Sequence, residues 1–345
     1  MHGAIRRVDE RCDLDGLRKK IGRLLPVMMV VSAAFVMVYL SHYLKMPQIV
    51  LPTFGALLTG TWLVRDNLWH YNKRRLMISL PLAACVGLTL SILLSSHDYF
   101  YVYPSIYVAF LITSAVLVVG RTQIYPCFGA ATLPILFQTT SWWYVVAVFI
   151  MVSVLCIGRS ILERLRILPA LNPSGFHDLP EHRRERAIYY VQMSFGLLPA
   201  LVFVPLFGDH YLLVPPLFVT YASFCNQHSS FTSHPIQTWI QLSGAFFIGT
   251  AFCGVVERLG EGLPADESAF LYGLGASASA LVMVCVGRGF HRLFPPAMSL
   301  ALTPFLIHFH APCLIYVPCM ASYFIVMAWL MRTHPAYRNK DLHYM

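Results

Sequence analysis

Charge is scarce in this chain. Only 12% of its 345 residues are Asp, Glu, Lys or Arg, and 57% are hydrophobic, whereas an ordinary soluble domain carries about 25% charge. That balance excludes a soluble domain of usual make-up. A phosphate-binding loop, a dinucleotide fingerprint and a nucleophile elbow are also missing, so the common enzyme signatures are absent and no catalytic residue is assigned. The nine cysteines have no short metal-type spacing, and five or more fall in apolar runs. They read as small buried hydrophobes rather than as a disulfide framework. No cleavable secretion signal is expected, since the stretch 1–23 is polar and basic and a full-length apolar run follows it.

What the chain does have is apolar blocks of membrane-crossing length, roughly 17–25 residues. They come in two sets of six. The first set covers about 24–43, 47–64, 76–95, 104–120, 126–138 and 142–158, and the second about 190–207, 212–225, 238–256, 269–287, 295–307 and 311–331. Segments two and five of each set are short and contain proline or glycine, so they read as half-helices or thin, tilted spans. The two sets read as copies of one pattern. Val119–Arg121 (VGR) precedes Tyr125–Pro134 (YPCFGAATLP), and Val286–Arg288 (VGR) precedes Phe294–Pro304 (FPPAMSLALTP). Arg288 follows Arg121 by 167 residues and Pro304 follows Pro134 by 170. A near-constant offset argues duplication, and duplicated membrane segments with broken helices point to transporters and channels.

Positive charge is unevenly placed. With the N-terminus in the cytoplasm and a crossing at every segment, 23 Lys and Arg fall inside, and only Lys45 and Arg258 fall outside. The outer loops near Asp98 and Glu257–Glu267 are acidic. This split is a strong positive-inside signal, and it requires an even number of crossings per copy. The copies are therefore expected to be parallel, with both termini cytoplasmic. Four crossings per copy, with segments two and five re-entrant, would leave the sidedness unchanged. Trp142 and Trp143 then lie at the outer interface. The net charge of +9 sits in loops between spans and is not read as a nucleic-acid surface. The expected organisation is a cytoplasmic basic tail (1–23), a membrane repeat (24–165), a cytoplasmic linker (166–189), a second repeat (190–331) and a cytoplasmic tail (332–345). The N-tail either lies on anionic headgroups or is a solvated tail obeying topology.

The fifth segments are the sharpest candidate for a solute site. In each, an arginine is followed by a turn, proline and small residues: Arg121 with Pro126, Gly129, Ala130 and Thr132, and Arg288 with Pro295, Pro296 and Ser299. Proline suits a first helical turn, and such a start directs N–H groups and the positive end of the helix dipole at a ligand, which suits an anion. The competing reading is that proline and small residues pack a short helix. Segment two repeats the theme with Pro52, Thr53, Phe54, Gly55 and Ala56, where a break in an apolar run frees backbone groups that line a cavity or are satisfied by packing. No segment interior carries Asp, Glu, Lys or Arg, which disfavours a cation transporter or a carboxylate proton relay. Histidines near Cys225 (His228, His234) and near Cys313 (His308, His310) fall on opposite sides and do not converge on a metal site. No metal or cofactor is expected.

Pro52–Ala56 and the fifth-segment motifs resemble the HPP family of integral membrane proteins, named for a His-Pro-Pro motif followed by Ala-Gly-Ala-Thr. The second copy keeps Pro295, Pro296 and Ala297, with Phe294 in the histidine position. The first keeps Pro126, Gly129 and Ala130, with Tyr125 in the histidine position and Cys127 in place of the second proline. The resemblance covers nearly the whole chain as two tandem, degenerate copies. It implies a small multi-helix membrane unit, and some plant members are linked to nitrite transport.

The sequence therefore predicts an all-α polytopic membrane protein of two parallel repeats, in a plasma or inner membrane. The expected function is transport or channelling of a small solute, preferably an anion. Arg121 and Arg288 would attract it, and Phe54, Gly55, Pro126, Gly129, Thr132, Pro295, Pro296 and Ser299 would line its site. The partners are the lipid bilayer and the solute, with a homo-oligomer or a membrane-complex partner open. The alternatives are a non-transporting subunit that scaffolds a complex, and a membrane enzyme with a histidine metal site.

Overall fold

The structure, a computed structural model, describes residues 2–46, 52–64, 69, 72–94, 101–171, 183–204, 215–225, 234–305 and 313–333. Every regular element among them is helical. In chain order they are α1 (His2–Tyr43), α2 (Pro52–Leu58) continued by a π turn (Thr59–Leu63), α3 (Lys73–Leu94), α4 (Val102–Gly120), α5 (Pro126–Leu136) and α6 (Trp143–Arg164). The second half holds α7 (Arg183–Phe203), α8 (Pro215–Cys225), α9 (Pro235–Gly260), α10 (Ala265–Gly289), α11 (Pro295–Leu302) with a 3-10 turn (Thr303–Phe305), and α12 (Cys313–Thr333). Seven helices among the described residues are long and apolar enough to cross a bilayer.

The long helices keep one apolar stripe exposed, as a lipid-facing surface requires. On α6 that stripe is Val146, Phe149, Ile150, Val154 and Ile157, spaced by three and four residues. The short helices behave differently. Thr53 to Trp62 of α2, Pro126 to Ile135 of α5, all of α8, and all of α11 with its 3-10 turn are buried. An 11-residue helix such as α5 or α8 rises only about 16 Å, about half of a hydrocarbon core. Too short to cross alone, these helices satisfy their exposed ends by sitting inside a ring of long ones.

The packing partners follow a pattern. α3 lies against α4, α5 and α6, and α9 lies against α10, α11 and α12. Across the halves, α1 packs on α10 and α7 on α4, while α2 packs on α11 and α5 on α8. The four short helices touch one another at the centre, α2 also meeting α5 and α8, and α8 also meeting α11. One contact recurs closely. Added Cβ atoms at Gly87 and Gly249 would overlap the carbonyl oxygens of Ala131 and Ala301. One turn on, Ser91 Oγ donates to Pro134 O (2.9 Å) and Cys253 Sγ to Pro304 O (3.3 Å). The glycines thus let a backbone approach that any side chain would block.

Three expectations are corrected. The sixth segment does not stop at Gly158: α6 runs on to Arg164 and buries Arg159, which the sequence placed in a loop. The linker does not extend to residue 189, because α7 starts at Arg183. The basic tail is not separate either, since α1 is helical without a break from His2 through Tyr43, passing Pro26. Residues 334–345, Asp98, His228, His308 and His310 lie outside the described residues.

Candidate functional site

The fifth-segment helices start as their prolines suggest: Pro126 stands in the first turn of α5, and Pro295 and Pro296 in that of α11. Their first N–H groups are already engaged, however. Cys127 N–H donates to Ile124 O and Phe128 N–H to Tyr125 O, each at 3.0 Å. Ala297 N–H donates to Phe294 O, and Phe294 N–H to Gln241 Oε1 at 3.2 Å. Gln241, buried on α9, also holds Arg292 O through Nε2. A lone amide in an apolar run was the signal for it, and it went unread. What remains at these starts is the dipole of each helix rather than free donors.

The structure brings the second and fifth segments together at their first turns. A Cβ at Gly55 would lie 3.1 Å from Ser299 Cα and 3.2 Å from Met298 C, so α2 and α11 touch backbone to backbone. Ser299 Oγ accepts a 2.7 Å hydrogen bond from Ala56 N–H. On the other side, a Cβ at Gly129 would overlap Thr53 Cγ2 and stand 3.4 Å from Pro215 Cβ. The first turns of α2, α5 and α8 therefore meet around Gly129, and α11 joins through Ser299. Phe54 is buried beside them. Thr132, by contrast, turns its hydroxyl onto its own helix, at Phe128 O (2.9 Å). No residue of α2, α5, α8 or α11 is Asp, Glu, Lys, Arg or His.

The two arginines are not equivalent. Arg121 is exposed and caps α4 in a left-handed conformation (φ 49°). Arg288 is still inside the last turn of α10, exposed, with its guanidinium on Arg23 O at 3.0 Å. The left-handed residue after α10 is His291 (φ 55°). His291 follows Arg121 by 170 residues, the spacing that also relates Ala131 to Ala301 and Pro134 to Pro304. The shared VGR triplet is thus offset by three residues, almost one turn, and Arg121 corresponds in place to His291.

A charged cluster the sequence did not single out sits where α2 ends. Arg159, 3% exposed, donates to Thr61 O (2.7 Å), Pro169 O (2.8 Å) and Glu163 Oε1 (3.0 Å), while Lys73 Nζ pairs with Glu163 Oε2. Trp62 Nε1 reaches Leu155 O at 3.0 Å, and Gly158 leaves room for its indole. The π turn, with Val64 N–H on Thr59 O, is held by this clamp. An open cleft of about 430 Å³ between α1 and α10, with Tyr39, Asp266, Glu267 and Phe270 in its wall, involves none of the four short helices. Among the described residues no group of three His, Cys, Asp or Glu could hold a metal ion.

Such a fold, all helical with a ring of long apolar helices around short buried ones, is that of a multi-pass membrane protein. No protein-family model, curated protein or solved structure matches the chain.

Proposed function

We propose that the protein is a membrane transporter or channel for a small solute, a small anion first, built of two parallel repeats with both termini in the cytoplasm. The observation that carries this reading is the buried junction of α2, α5, α8 and α11. Broken, proline-led helices inside a bundle are tolerated where they are packed or line a path, and helix starts directed at one place favour negative charge there. The junction carries hydroxyls and no charged side chain, which suits passage without a proton relay. The matched packing of the halves, and the recurrence of Gly87 on Ala131 as Gly249 on Ala301, support duplication. Positive charge on one set of loops supports the sidedness. The HPP-like motifs fall on the junction, which fits the resemblance.

Reconstitution into proteoliposomes tests it. Iodide uptake should exceed that of empty vesicles and be reduced when Arg121 and Arg288 are both changed to Gln, because exposed cations at one mouth raise the local anion concentration. Lys in their place should retain much of the uptake. Absence of uptake by the inserted wild type would sink the transport reading. The closeness of the junction, where Thr53 touches Gly129, favours a second reading, a packed scaffold subunit. Co-purification of a stoichiometric membrane partner with a flux-inactive protein would decide for it.

A further inference from the structure

Hydroxyl groups on the four short helices divide into two kinds. Those of Thr61, Thr132, Thr220, Ser223 and Thr303 each donate to the carbonyl four residues back, at 2.6 to 2.9 Å. Their protons are spent, so they can only accept. Thr53 and Ser299 differ. Thr53 is 0% exposed and its Oγ1 has no hydrogen-bond partner. Ser299, also 0% exposed, accepts Ala56 N–H, and its own proton has no acceptor among the described residues. An O–H whose oxygen accepts a hydrogen bond is polarised into a better donor. Thr53 and Ala56 are three apart on α2 and share a face, so the two idle protons belong to one locality. The first turns of α5 and α8, each an 11-residue helix, converge on it at Gly129 and Pro215.

We propose that the hydroxyls of Thr53 and Ser299 form the binding site for a small monovalent anion at the crossing of α2, α5, α8 and α11. This rests on the transport reading and adds the site and the charge of the ligand. Buried donors without acceptors are costly, and an anion fills that need. The positive ends of α5 and α8 oppose a cation there. Because none of the four helices carries a charged residue, a divalent anion would be left without a counter-charge in an apolar surround, where the solvation cost grows with the square of the charge. Halides and small monovalent oxyanions share the required chemistry.

Chloride binding to the purified full-length protein in detergent, read by chloride-35 line broadening, tests the site independently of flux. Wild type should broaden the line, and nitrate should relieve the broadening while sulfate should not. Thr53→Val keeps the methyl that packs on Gly129 and removes the donor. It should weaken chloride by about tenfold or more, as loss of a hydrogen bond to a charged group does. Thr53→Ser should restore it, and Thr220→Val, which removes a hydroxyl already spent on its own helix, should leave it unchanged. No broadening by the wild type would mean the hydroxyls hold water, and would overturn the site. Equal effects of Thr53→Val and Thr220→Val would do the same, and so would relief by sulfate. Chloride bound as described by a protein that moves no iodide would keep the site and remove only the transport reading.

Discussion

Single residues carry the closeness of this structure. Gly87 and Gly249 are the clearest case, because a side chain at either would collide with a carbonyl oxygen of the neighbouring short helix, Ala131 or Ala301. A carbonyl in a buried helix has nowhere to go without moving the helix. Gly87→Ala and Gly249→Ala should each destabilise the protein by about 1–3 kcal/mol, the usual range for overpacking. Gly254→Ala, where nothing lies within 4 Å, should be neutral or slightly stabilising, since alanine is the better helix former. Thermal melting of the three variants in one detergent checks this. Equal melting of Gly87→Ala and Gly254→Ala would deny the contact. The sequence shows both glycines but not their partners, because a glycine in an apolar helix looks the same whether it faces lipid, as Gly254 can, or another backbone.

At the scale of elements, the short helices were legible and their anchoring was not. Proline and small residues mark α2, α5, α8 and α11 within a few residues, since their chemistry is local. Helix ends were harder to place. Arg121, Gln138, Arg166 and His291 each close a helix in the left-handed conformation without glycine, so the usual stop signal is missing. The reach of α6 to Arg164 was hidden for a related reason: Arg159 reads as the start of a basic loop until Thr61 O, Pro169 O and Glu163 are seen around it. Arg159 and Trp62 hold the same π turn from one helix. Arg159→Met should cost about 3–5 kcal/mol, as removal of one member of a buried ion pair does, and Trp62→Phe about 1 kcal/mol for its hydrogen bond. Because both act on Thr59–Leu63, the double variant should cost less than the two added, by at least 0.5 kcal/mol. Strict additivity in unfolding measurements would show that the two clamps are independent.

For the whole molecule, the decisive quantity is the parity of crossings. The two halves pack through each other's first and fourth helices, α1 on α10 and α7 on α4, an arrangement that local sequence cannot reveal because its contacts are remote in the chain. Whether the halves are parallel depends on which side their loops occupy. Lys and Arg crowd one set of loops and are nearly absent from the other, so an even number of crossings per half puts Arg121, Arg164 and Arg288 on the cytoplasmic side, and Trp142 and Glu261 outside. All five are exposed. In a background with the nine native cysteines replaced, cysteine at Arg121, Arg164 or Arg288 should react with a membrane-impermeant maleimide only after permeabilisation. Cysteine at Trp142 or Glu261 should react in intact cells. Labelling of Arg288→Cys from outside while Arg121→Cys stays protected would make the crossing number odd. The halves would then be related by an axis in the membrane plane, and the two arginines could not share a mouth. The joint attraction of an anion by Arg121 and Arg288 would fall with it, whereas the Thr53–Ser299 site, buried between the halves, would stand under either parity.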